Sequence, residues 1–165
     1  TSVKNEFQCI EKYLQIIDLR FSGCFRFRLC MEDGTADCQM PRFLLQPLVE
    51  NAISHGLEPR QPMQGTLLLS VSLLPGEILH FECRDDGIGM PPEKLERLRQ
   101  EMEAAPIGSN PQPEKRTGIG LPNIHMRIQL IYGAPYGLSI SSGPEGTCVC
   151  AEFPIIPEAG AQVSV

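Results

Sequence analysis

Apolar residues recur at Val3, Phe7, Ile10, Leu14, Ile17 and Phe21, in steps of three and four. That period places them on one face of an amphipathic helix over residues 2–21. The period then shortens. In "CFRFRLCM" (24–31), Phe25, Phe27 and Leu29 alternate with Arg26, Arg28 and Cys30, the pattern of a half-buried strand. Pro41 suits a first helical position and Gly56 a stop, so 41–55 reads as a second helix. With Phe43, Leu44, Leu45 and Leu48, its first half is apolar almost all round and should be buried. Pro47 should kink it and free the carbonyl of Phe43.

Residues 66–74 and 78–84 read as a hairpin joined at "PGE", and 91–104 as a short charged helix. The stretch "APIGSNPQPEKRTGIG" that follows has three prolines, three glycines and no apolar period. The spacing predicts a loop over 104–117, of a length that is often functional. A helix from Leu121 to Ile131 and two strands at 137–142 and 147–153, turning at "GPEG", complete the order, and the tail after Pro157 is expected to fray. Helices grouped against a mostly antiparallel sheet predict a two-layer α/β sandwich.

The 165 residues are enough for one domain with a real core, and 42% hydrophobic with 21% charged residues is a soluble globular composition. The net charge of −6 gives no basic footprint, which argues against nucleic acid as a partner. A phosphate-bearing ligand would therefore need local positive groups. Seven cysteines, an odd number with no CxxC, and three histidines far apart in sequence speak for reduced thiols in a cytosolic compartment and against a zinc site. The chain has no initiator Met, no signal peptide and no apolar run of the roughly 18 residues a membrane span needs. It opens inside the first helix, so it is expected to be part of a longer protein.

Three stretches carry candidate chemistry. On the second helix, taking Glu50 as zero, Ser54 falls at about 40°, Asn51 at about 100° and His55 at about 140°. A buried helix with such a polar arc needs something polar to face, although Glu50 and Asn51 would also serve as local caps. "CRDDGIGMPP" (83–92) runs from a strand into Asp85, Asp86, Gly87 and Gly89. A carboxylate there can accept a hydrogen bond from an exocyclic amine or from its own turn, and the glycines permit close backbone approach. "RTGIGLPNI" (116–124) puts Gly-x-Gly before a helix start, an anion site with Lys115 and Arg116 beside it. It is neither a dinucleotide fingerprint, since Asn123 stands where glycine is needed, nor a P-loop.

Asn on a buried helix, DxGxG after a strand and GxGL before a helix, in that order, resemble the GHKL ATP-binding domains. "VENAISHG" is similar to the N box, "DDGIGM" to the G1 box and "GIGLPNI" to the G2 box. "YLQIIDLRF", "LLQPLVENAISHG" and "RIQLIYG" resemble the LytS-like sensor histidine kinases. The resemblance implies a Bergerat fold: a mixed, mostly antiparallel sheet with about three helices on one face. It divides the chain into a connector helix (1–22), an ATP-binding catalytic domain (23–157) with its lid at 104–117, and a disordered tail (158–165).

The same resemblance implies ATP and Mg²⁺ as cofactors, with Asn51 ligating the metal and Asp85 reading the adenine amino group. Gly87, Gly89, Met90 and Thr147 would surround the base, and Lys115, Gly118, Gly120, Leu121 and Asn123 would hold the phosphates. Glu50, His55 and Arg116 are the catalytic candidates. Two departures matter. The water-activating glutamate of hydrolytic members is replaced by Pro47, and Glu50, 100° round the helix, is a poor substitute. The N-box lysine is replaced by Ser54. No histidine here lies in an acceptor-helix sequence.

The expectation is a histidine kinase domain of a membrane-bound, dimeric bacterial sensor that faces the cytoplasm. Its phosphoacceptor and dimerisation segment would lie outside this chain, and its product would pass to a response regulator. The alternatives are a non-catalytic nucleotide-binding module and an anti-sigma-factor-type serine kinase.

Overall fold

The computed structural model describes residues 1–62, 64–104 and 120–155. Four helices, α1 (Val3–Arg20), α2 (Gln46–Asn51, continuing as a wider π-helical turn over Ala52–Leu57), α3 (Pro92–Glu103) and α4 (Leu121–Tyr132), accompany five strands. The strands are β1 (Phe25–Met31), β2 (Gly65–Leu74), β3 (Ile78–Asp85), β4 (Gly137–Gly143) and β5 (Gly146–Pro154). They form one sheet in the order β1-β2-β3-β5-β4. Only β1 and β2 are parallel; the other neighbours are antiparallel. A parallel pair needs a crossover, and α2 with its π-helical turn supplies it. That connection packs the Asn51 helix against β2 and β3.

Period-two burial explains the two layers. Leu67, Leu69 and Val71 of β2, Leu79, Phe81 and Cys83 of β3, and Val149, Ala151 and Phe153 of β5 all face the helices and are buried. Their neighbours Ser70, Ser72, His80, Glu82, Cys148 and Cys150 face outward and are only partly covered. The rings of Phe81 and Phe153 stack at 5.3 Å in the middle of the core. Val3, Phe7, Ile10 and Leu14 bring α1 into the same core. Glu6 on that face is buried as well, its carboxylate accepting from the backbone N–H of Leu44 at 3.1 Å and of Leu45 at 3.5 Å.

The second helix departs from expectation. It starts at Gln46, not at Pro41, and Pro47 therefore sits in its first turn, where no intrahelical partner for an N–H is needed and no kink follows. Phe43 has φ +56°, outside any helix, and is 65% exposed rather than buried, whereas Leu44, Leu45 and Leu48 are buried as expected. Gly56 does not stop the helix; it lies within the π-helical turn, which closes with Glu58 N–H donating to the Ile53 carbonyl at 2.8 Å.

Candidate nucleotide site

Asp85 occupies the last position of β3, opposite Thr147 of β5, on the face that elsewhere carries Leu79, Phe81 and Cys83. The strand period thus buries a carboxylate, 3% exposed, where an apolar side chain would be expected. Burial pushes its pKa above the ordinary carboxylate value; the N–H groups of Gly87 and Thr147 pull the other way, and the nearby Asp86 charge adds to the rise. The Gly87 N–H donates to Asp85 Oδ1 at 2.9 Å.

Asp86 has a different role. Its Oδ1 accepts from Thr66 N–H at 2.7 Å, and Arg60 donates to its carbonyl at 2.8 Å, so it fastens the turn to the start of β2. The two adjacent carboxylates are therefore separated by the strand alternation: one goes into the helix-facing layer and the other to the edge.

Backbone, not side chains, closes this turn onto α2. A Cβ on Gly56 would fall on the Asp85 carboxylate, and one on Gly87 would fall on the Gly56 carbonyl carbon and oxygen. The Ile88 N–H donates to that same carbonyl at 2.9 Å. Gly89, at φ +67°, packs against the carbonyl of Gly143 with no room for a side chain. Beyond it, Met90 N–H donates to Ser142 Oγ at 2.8 Å, and Ser142 Oγ lies 2.7 Å from Thr147 Oγ1. Gly56 is the residue the sequence reading assigned to a helix stop; here its backbone packs against the Asp85 carboxylate.

Two cavities flank the α2 region. One of about 510 Å³ is lined by Asn51, His55, Met90 and Leu121, with Lys94, Arg97 and Leu98 contributed by α3. The other, about 400 Å³, is lined by Pro47, Glu50, Gly120, Asn123 and Arg127. The polar arc is thus divided: Asn51 and His55 share one cavity, and Glu50, which accepts from Gln46 Nε2 at 2.8 Å, faces the other. Arg127 ties α4 to the entry of α2 by donating to the Arg42 carbonyl at 2.7 Å. Asp85 and Thr147 line neither cavity; a shallow hollow of about 480 Å³ touches them from the side of Leu68 and Cys148, away from Asn51. Met90 and Gly56 connect Asp85 to the Asn51 cavity through the chain. Lys94 and Arg97 escaped the sequence reading, which took 91–104 as a charged helix without assigning its faces. Lys115, Arg116 and Gly118, with most of the expected lid, lie outside the described residues.

The family model described as histidine kinase-, DNA gyrase B- and HSP90-like ATPase matches residues 37–157. The chain is 33% identical to the sensor histidine kinase YpdA of Escherichia coli over 92% of its length, covering 24% of that protein. It is 32% identical to a sensor-like histidine kinase of Staphylococcus epidermidis, covering 92% of this chain and 28% of that one. With the sensor protein LytS of Bacillus cereus it shares 30%, over 92% of this chain and 24% of the other. The chain thus spans about a quarter of the length of these curated relatives.

Among solved structures, the catalytic domain of the histidine kinase ThkA has a TM-score of 0.68 at 14% identity, covering 93% of this chain and 92% of that one. The histidine kinase domain of the Erythrobacter litoralis EL346 blue-light activated kinase gives 0.56 at 22%, covering 88% and 58%. These likenesses carry the fold, and the five-stranded mixed sheet with its helices is the sandwich that the resemblance implied. With its matched region spanning the N-box helix, the glycine turn and α4, the chain belongs to the histidine kinase-, DNA gyrase B- and HSP90-like ATPases.

Proposed function

We propose that this chain is the ATP-binding catalytic domain of a two-component sensor histidine kinase. It presents the γ-phosphoryl of ATP to a histidine on a segment outside the chain. The observation that carries this reading is the buried carboxylate of Asp85, locked by Gly56 and Gly87 beside the helix that offers Asn51 and His55 to a cavity. A carboxylate held out of water is an acceptor suited to the exocyclic amine of adenine. The Gly56 backbone packs against that acceptor and the Gly87 N–H donates to it.

Asn51 is half-buried at the cavity wall and offers one neutral amide oxygen. That donor suits a Mg²⁺ that keeps its waters and arrives with the phosphates, and the ion would supply charge neutralisation there. Lys94 and Arg97 bring positive charge to the same cavity, which Glu101 of the next helical turn also lines, in a chain whose N box carries Ser54 in place of lysine. Pro47 at the hydrolytic position has no group to activate water, which favours transfer to a positioned acceptor over hydrolysis.

In this reading Gly118, Lys115 and Arg116 contribute to phosphate binding, and Glu50 faces the α4 cavity without a role as base. The acceptor histidine and the dimerisation helices belong to the same protein, and a response-regulator aspartate receives the phosphoryl group; the curated relatives are named as sensor kinases. Residues 1–22 connect to that segment, and the domain works on the cytoplasmic side of a membrane-anchored sensor. No helix among the described residues is long and apolar enough to cross a membrane.

Calorimetric titration with ATP in Mg²⁺, with GTP as control, tests the reading. Saturable binding of ATP and not of GTP supports it; equal binding of both, or of neither, contradicts the assigned pocket.

A further inference from the structure

The outward face of the sheet carries a second group of reactive side chains, away from the cavities of Asn51 and Glu50. His80 and Glu82 of β3 point to this face; across the register stand Glu152 opposite His80, Cys150 opposite Glu82 and Cys148 opposite Arg84. Ligand atoms of His80, Glu82 and Cys150 all lie within 4.8 Å of one another. The Sγ atoms of Cys148 and Cys150 are 3.9 Å apart. Glu152 Oε1 lies 2.8 Å from His80 Nδ1, the carboxylate partner that orients metal-binding imidazoles and raises their basicity.

We infer that this face binds Zn²⁺ through His80, Glu82 and Cys150, whose ligand atoms cluster across the β3–β5 register. Sulfur, imidazole and carboxylate together select a borderline-soft cation over Mg²⁺ or Ca²⁺. The donors sit on two adjacent strands, so backbone hydrogen bonds set their spacing before any ion arrives. All three are partly exposed, which gives the ion a path from solvent. Glu82 must release Arg84, its partner at 2.9 Å, but that pair is largely solvated on the arginine side and costs little to break. On binding, the Cys150 thiol forms a sulfur–metal bond and gives its proton to solvent; no electron is transferred.

Cobalt titration of the full chain, reduced and stripped with chelator, tests the site. One Co²⁺ per chain should produce thiolate-to-cobalt charge transfer and tetrahedral visible bands, both lost when one equivalent of Zn²⁺ is added. The double variant Cys148→Ser/Cys150→Ser should abolish the charge transfer with the circular dichroism unchanged. His80→Gln should weaken Zn²⁺ at least about tenfold. Absence of charge transfer at stoichiometric Co²⁺ overturns the inference. So does a band that persists in the double variant, since the ion would then sit on Cys9, Cys24, Cys30 or Cys38. If the double variant unfolds, His80→Gln decides: unchanged Zn²⁺ affinity in a folded protein rejects the site.

Discussion

The backbone of Gly56 lies directly against the carboxylate of Asp85, with no space between them for a methyl group. One missing side chain therefore joins the helix of Asn51 to the strand end that carries the proposed adenine acceptor. Gly56→Ala must push either the turn or the helix aside. The expected cost is about 1–3 kcal/mol, as for overpacking in a core. ATP affinity should fall with it, in thermal melting and calorimetry on the same sample. A variant that melts and binds like the wild type removes this contact from the argument.

Asp85→Asn should separate stability from binding. Burial raises the folded pKa of Asp85 above its unfolded value, so the folded chain holds the extra proton in the interval between them. Stability is lost as pH rises through that interval, and at neutral pH the ionised carboxylate is a cost. Asparagine keeps an oxygen for the Gly87 N–H and removes the charge. The melting temperature at pH 7 should be equal or higher, and ATP affinity should drop about 10- to 100-fold, the loss of a charge-assisted hydrogen bond. Unchanged affinity would falsify the assignment of Asp85.

Asp86→Ala should do the reverse. The side chain holds Thr66 N–H and a half-exposed Arg60, so its loss should cost about 1 kcal/mol of stability. ATP affinity should stay within about twofold, a change of less than half a kcal/mol. A larger loss of binding would mean that the second carboxylate also meets the ligand.

Lys94→Ala tests whether α3 supplies the charge that Ser54 does not. The side chain is exposed at the cavity wall, so screening limits its effect to about 0.5–1 kcal/mol, or roughly two- to fivefold in ATP affinity. Adenosine, which has no phosphates, should bind both proteins equally. Parallel losses for ATP and adenosine would indicate a packing role instead.

His125 supplies a pH dependence. Burial lowers its pKa, and the Leu138 N–H donates to Nδ1 at 2.9 Å, a bond that only the unprotonated nitrogen accepts. The unfolded chain thus takes up the proton first. Stability is fully present above the unfolded pKa of about 6.5 and is lost as pH falls toward the folded value. His125→Gln keeps an acceptor and cannot titrate. Between pH 7.5 and 5.5 the wild type should lose more melting temperature than this variant; equal losses would remove His125 as the cause.

Much of this was legible in local pattern. The steps of three and four gave α1, alternation gave β1, and "PGE" and "GPEG" gave the two hairpins within a residue or two. Errors arose where one residue type has two uses. Pro41 and Pro47 both suit a helix start, and the positive φ of Phe43 decides for the second. Gly56 resembles a helix stop in sequence, and only the packing of the glycine turn shows what it leaves room for. Helical angles placed Asn51 with His55 and apart from Glu50, as the cavities do, although a π-helical turn intervenes. The absence of CxxC and the wide spacing of the three histidines spoke against zinc; linear spacing cannot register that His80, Glu82 and Cys150 come together across β3 and β5.

The buried carboxylate of Glu6 has a mechanical meaning. It grips the backbone of Leu44 and Leu45 immediately before the Asn51 helix, while Val3, Phe7, Ile10 and Leu14 fix the rest of α1 in the core. A torque on α1 is therefore coupled directly to the main chain that enters α2.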